Sequence, residues 1–256
     1  MGPRRERHVR RLLHVEPLRE GLPRGRRRRR APHRRRRQRA VSRRAAPAPC
    51  ASRGGGVVTG MFVTIDGPGG VGKSTLTAAV VAELRAACVT AHATREPSDT
   101  ALGRLARQGT DDYRGMAMAC LIAADRYQHL EDEIRPAVAR GDVVVCDRYV
   151  ASSLVLQVMD GVGRDLVWEL NRHADMPDLA VILNARDDVI EKRLTERGAH
   201  SRYEREFGSS QRECAAFREA ARFLMAAGVH VVQFDVTTEG PERIARDIVA
   251  AIRNRG

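Results

Sequence analysis

The chain has 256 residues, 30% of them charged and 4% aromatic, with a formal net charge of +13. Its five cysteines, at 50, 88, 120, 146 and 214, are odd in number and form no C-x-x-C pair, so their spacing points to neither a disulfide framework nor a zinc site. The longest apolar run, 116–124, is far too short to span a bilayer, so a soluble cytoplasmic protein without membrane contact is expected.

The charge is unevenly distributed. Residues 1–60 hold 20 arginines against Glu6, Glu16 and Glu20, a net of +17. Residues 61–256 hold 25 basic and 29 acidic residues and are slightly negative. The first segment contains uninterrupted runs at Arg26–Arg30 and Arg34–Arg37 and too few apolar residues to offset chain entropy, so it is expected to be disordered. It lacks any aromatic residue for base stacking, which leaves arginine to bind nucleic acid only weakly and without specificity. It also lacks the serine content of a transit peptide, having only Ser42 and Ser52, and the apolar core of a secretory signal. The reading that best fits its composition is an upstream stretch outside the native protein, with the true start at Met61, Val57 or Val58.

From Met61 onward, strand-like apolar runs alternate with helical periodicity. Strands are predicted near 61–66, 89–94, 143–147, 179–184 and 230–235. Helices are predicted near 74–87, 101–108, 113–140, 153–173, 186–197, 210–227 and 241–254. Strands this apolar, each followed by a helix, imply an α/β fold whose parallel sheet is covered on both faces. Ligands of such sheets bind beyond the carboxyl ends of the strands.

The first of those ends carries Gly67-Pro68-Gly69-Gly70-Val71-Gly72-Lys73-Ser74, followed by Thr75. This fits G-x-x-x-x-G-K-[ST] in the required order of strand, loop and helix, so these residues are assigned to ATP binding. Glycines let backbone N–H groups approach phosphate oxygens, Lys73 adds a positive charge, and Ser74 offers a hydroxyl to Mg²⁺. Only Lys73 and Lys192 are lysines among 45 basic residues, which marks Lys73 as a requirement of the loop.

The third strand ends in Asp147-Arg148-Tyr149. Asp147 is a candidate for orienting Mg²⁺ or its water, or else a capping acid, and Arg148 is a candidate phosphate ligand. The second strand ends in Thr94-Arg95-Glu96-Pro97, where Arg95 serves either a surface ion pair or an anionic ligand.

These elements, in this order, resemble the thymidylate kinases. The resemblance runs from Met61 to the C-terminus. It rests on the P-loop, the TREPSDTALG run at 94–103, Ala123–His129 and Ile134-Arg135-Pro136-Ala137 with Gly141. Further matches are Asp147–Ser153 with Gln157, Val167–Asn171 with Pro177-Asp178-Leu179, and Arg197-Gly198 followed by Ser201-Arg202-Tyr203-Glu204. The resemblance implies a P-loop NTPase of the nucleoside monophosphate kinase type, with a five-stranded parallel sheet and a lid near 197–208. It also implies transfer of the γ-phosphoryl of ATP to dTMP with Mg²⁺, and a homodimer packed through helices. Carried onto this chain, Arg95 and Arg148 hold the acceptor phosphate, Arg126 contacts the base, and Ser152, Ser153 and Gln157 line the base pocket. The P-loop segment 68–71 has no arginine, so the transition-state cation is expected from the lid, with Arg197 the best match and Arg202 and Arg205 nearby.

Three acceptor-side positions depart from the family. Gly69 stands where a carboxylate usually contacts the sugar 3′-hydroxyl, Ile122 where a phenylalanine stacks on thymine, and Leu156 where an aromatic residue is common. A lost stacking face costs about 1 to 3 kcal/mol. The resemblance therefore supports kinase activity more firmly than thymidine specificity. A kinase for another or modified monophosphate, and a nucleotide-binding protein without turnover, remain as alternative expectations.

Overall fold

The computed structural model of the chain describes residues 60–198, 202–205 and 209–255, with residues 202, 205 and 209 described by backbone alone. The arginine-rich segment and part of the expected lid lie outside the described residues. Five parallel strands form one sheet in the order β2-β3-β1-β4-β5, with β1 Met61–Asp66, β2 Ala91–Arg95, β3 Val143–Asp147, β4 Leu179–Asn184 and β5 Val231–Asp235.

The central strands are apolar over most of their length because both faces are covered. Val63, Ile65, Val145, Val181 and Leu183 point to one layer, where α1 (Lys73–Ala86) and α10 (Pro241–Arg253) pack. Phe62, Val144, Cys146 and Ile182 point to the other. That layer is built from α3 (Gly115–His129), α5 (Val150–Met159), α6 (Arg164–Leu170) and α9 (Ser209–Ala226). Truncating a fully buried member such as Ile65 to alanine would cost about 2 to 5 kcal/mol. The edge strands β2 and β5 alternate between covered and exposed residues, as strands paired on one side should.

Two long predicted helices are divided. The expected helix at 113–140 is α3, a π-helical turn at Leu130–Ile134, and α4 (Arg135–Ala139). Pro136 has no N–H to give the carbonyl four residues back, and the wider turn just before it absorbs that defect. The expected helix at 153–173 is α5 and α6, parted at Gly161, which has φ of 86°. α5 also begins three residues earlier than its periodicity suggests. The remaining helices are α2 (Ala101–Gln108), α7 (Asp187–Arg197) and α8 (Arg202–Arg205). Among the cysteines of the described residues, Cys120, Cys146 and Cys214 are free.

Candidate active site

Among the described side chains, the groups assigned to chemistry by the sequence lie at the carboxyl edge of the sheet or on the helices that border it. Gly67–Gly72 turns from β1 into α1 with φ of 74° at Gly70 and 104° at Gly72, which only glycine adopts without strain. Gly67 admits no side chain for a second reason, since a Cβ there would stand 2.7 Å from the Leu183 carbonyl oxygen. Gly72 is the N-cap of α1 and offers no side-chain cap, so the first amides of the helix are left for an anion.

Lys73 is buried, and its Nζ donates to the carbonyl oxygens of Gly67 (2.8 Å) and Pro68 (2.7 Å). Burial, followed by the nearby charge of Arg148, pulls its pKa below the usual lysine range. An anion in the loop would offset both by favouring the charged ammonium. Ser74 Oγ donates to Asp147 Oδ2, while Asp147 Oδ1 is shielded from solvent with no partner. A hydroxyl and a carboxylate with a spare oxygen form a hard-oxygen donor set that suits Mg²⁺, which takes its other ligands from water and phosphate.

Two cavities flank this centre. The first, of about 430 Å³, is bounded by Gly70–Gly72 and Thr75 and, across from them, by Arg193, Arg197, Val236 and Ile244. The second, of about 330 Å³, is bounded by Arg95, Arg107, Ile122, Arg148, Leu156 and Gln157 among others. Asp147 borders the second cavity and Gly72 the first, so the P-loop and the end of β3 form the partition between them.

Arg148 enters the second cavity from a strained backbone, with φ of 74°, and its N–H donates to Ile65 O at 2.9 Å. Arg95 is paired with Asp99 at 2.9 Å and also lines the cavity. The loop that carries it is pinned by Asp125 of α3, whose carboxylate accepts from Ser98 N–H, Ser98 Oγ and Thr100 Oγ1. Gln157 is 4% exposed and its Oε1 has no partner, leaving a buried acceptor aimed at whatever fills the cavity.

The other acceptor-side residues stand behind the cavity wall. The Arg126 guanidinium is 1% exposed; it donates to Glu96 Oε2 at 2.9 and 2.6 Å, to Ser153 Oγ and to Asn171 Oδ1, and lies 4.8 Å over the Tyr149 ring. Ser152 Oγ is committed to Asp66. These three side chains build the wall that Glu96 and Gln157 present to the cavity.

On the lid side, Arg197 Nη2 pairs with Glu204 Oε2 at 2.8 Å and borders the first cavity. Arg202 lies on α8, with its side chain outside the described residues. Gly69, the position without a carboxylate, is not open space. A Cβ there would meet the Glu204 side chain at 2.6 Å, and its N–H donates to Glu213 Oε2 at 2.8 Å. Burial raises the Glu213 pKa, against the lowering influence of the Gly69 N–H, Arg148 and Lys73.

Sequence reasoning did not single out Arg107, Tyr203, Glu213 or Asp66. An acid closing a buried strand was the signal used for Asp147, and the same signal marks Asp66. Nothing local marks Glu213, which reaches the P-loop from 144 residues away.

A profile described as thymidylate kinase matches residues 65–248. The chain belongs to the thymidylate kinase family. It is 34% identical over 198 residues to the probable thymidylate kinase of Pyrobaculum aerophilum, covering 75% of this chain and 96% of that protein. It is 37% identical over 211 residues to the thymidylate kinase of Clavibacter michiganensis subsp. michiganensis, covering 77% and 95% respectively. The probable thymidylate kinase of Caldivirga maquilingensis is 36% identical over 149 residues, 57% of this chain and 73% of that protein. As a member of this family the chain is a phosphotransferase with ATP as co-substrate.

Proposed function

We propose that this chain transfers the γ-phosphoryl of ATP to dTMP, giving dTDP and ADP. The observation that carries the reading is the pair of cavities beside the P-loop and the end of β3, the first lined by Arg193 and Arg197 and the second by Arg95, Arg107 and Arg148. Such an arrangement sets two nucleotide phosphates end to end, which is most of what phosphoryl transfer asks of a protein. Ser74 and Asp147 would hold Mg²⁺, which neutralises charge on the donor phosphates when bound. Lys73 leaves the Gly67 and Pro68 carbonyls to meet those phosphates. Arg95, Arg107 and Arg148 receive the acceptor phosphate, and Gln157 reads the base edge with its free Oε1. Arg197, released from Glu204, meets charge that develops on the transferring group. Arg202 is a second lid candidate for that task, and Arg126, Ser152 and Ser153 hold the acceptor wall in shape.

The reading extends to a homodimer packed through helices, as the resemblance implies. Among the described residues no helix is long and apolar enough to cross a membrane, which accords with a cytoplasmic enzyme. A steady-state screen of nucleoside and deoxynucleoside monophosphates with ATP tests the reading. Turnover with dTMP supports it, and turnover confined to other monophosphates overturns it.

A further inference from the structure

Asp66 closes β1 immediately before the P-loop, yet its side chain serves a different element. The carboxylate is fully buried, and Oδ1 accepts from Tyr149 N–H (2.9 Å), Ser152 N–H (3.0 Å) and Ser152 Oγ (2.6 Å). α5 starts at Val150, and its N-cap residue Tyr149 supplies no side-chain cap of its own. The cap comes instead from the neighbouring strand, and a negative group there also meets the positive end of the helix dipole.

This explains why α5 begins at Val150 although nothing in the local sequence starts a helix there. It also bears on Arg148. That residue is left-handed, with φ of 74°, a conformation uncommon outside glycine. Its own N–H is held by Ile65 O, and the next residue's N–H is held by Asp66 Oδ1. Consecutive residues of β1 thus grip the backbone on both sides of Arg148. The side chain between those grips is the one that enters the acceptor cavity.

We propose that Asp66 is a positioning residue for the acceptor site: by clamping the first turn of α5 it keeps Arg148 in the left-handed conformation that aims its guanidinium at the acceptor's anionic group. The inference rests on the phosphoryl-transfer reading given above. Without the clamp, Tyr149 and the first turn of α5 are free to shift, and Arg148 relaxes toward an ordinary backbone conformation that points its side chain elsewhere.

A double-mutant cycle on direct dTMP binding tests this, using calorimetric titration of the full chain as wild type, Asp66→Ala, Arg148→Ala and the double variant. Asp66→Ala should weaken dTMP about tenfold when Arg148 is present and less than about twofold when it is absent, because the effect passes through Arg148. Affinity for a non-hydrolysable ATP analogue should stay within about twofold of wild type. Equal loss of dTMP affinity in both backgrounds, or a matching loss for the ATP analogue, would overturn the proposal by showing a general structural role. If Asp66→Ala does not fold, Ser152→Ala removes one of the three bonds, and its smaller loss should likewise vanish without Arg148. A wild type that turns over a different monophosphate sinks the dTMP reading alone, and the cycle is then run with that acceptor. A wild type that binds no monophosphate removes both.

Discussion

Lys73 illustrates how burial and charge prepare a residue for a ligand. Its ammonium is desolvated and faces Arg148, and two loop carbonyls hold it until phosphate arrives. Lys73→Ala should lower kcat by at least about 10² with an unchanged thermal transition, and near-normal turnover would exclude the P-loop mechanism. Arg197 makes a different prediction because its partner in the empty enzyme is Glu204. If it meets charge that develops in the transition state, Arg197→Ala lowers kcat far more than it raises either KM. A change confined to KM would mark a ground-state contact and pass the role to Arg202. Gly69 reverses an expectation that the sequence invites. The missing carboxylate suggests restoring it, but the space is filled by Glu204. Gly69→Glu should therefore reduce kcat/KM for dTMP, and adding Glu204→Ala should recover at least part of the loss; a gain from Gly69→Glu alone would show that Glu204 yields easily. Ile122 and Leu156 do line the acceptor cavity, and the aromatic side chain in its lining is Tyr203, which comes from α8.

Elements were legible in proportion to how local their causes are. The five strands and the P-loop turn were readable because apolar runs and glycine spacing are written within a few residues. The start of α5 was not, because its cap is supplied by Asp66 from 83 residues away. Nor was the wall formed by Arg126, whose partners Glu96, Ser153 and Asn171 come from three separate segments. α9 shows the same limit, since Glu213 docks that helix onto the P-loop through one buried bond to Gly69 N–H. Burial raises the Glu213 pKa above its ordinary value of 4.5, so its contribution to folding is largest below that pH and is lost as pH rises through the folded value. Glu213→Gln keeps an acceptor for Gly69 and removes the charge. Its melting temperature should exceed that of the wild type by a margin that grows from about pH 5 to about pH 8, reaching on the order of a few degrees. A margin that is constant or shrinks over that range would contradict the burial account.

At the scale of the whole molecule, the residues from Met61 onward carry a slight negative charge, and yet Arg95, Arg107, Arg148, Arg193 and Arg197 line the two cavities beside the P-loop. Total charge therefore says little about what binds, while the placement of five cations around one partition says a good deal. The overall fold and the donor loop followed from pattern, and membership of the thymidylate kinase family agrees with both. The acceptor wall needed three-dimensional contacts, which is why Arg107 escaped a linear reading. The claim that joins these observations is direct passage of a phosphoryl group from the first cavity to the second. Incubating the chain with γ-phosphate-labelled ATP, Mg²⁺ and dTMP measures it most directly. Label recovered in dTDP in equal amount to the ADP formed is the predicted result, whereas label released only as inorganic phosphate, or transferred only to another monophosphate, would contradict the account.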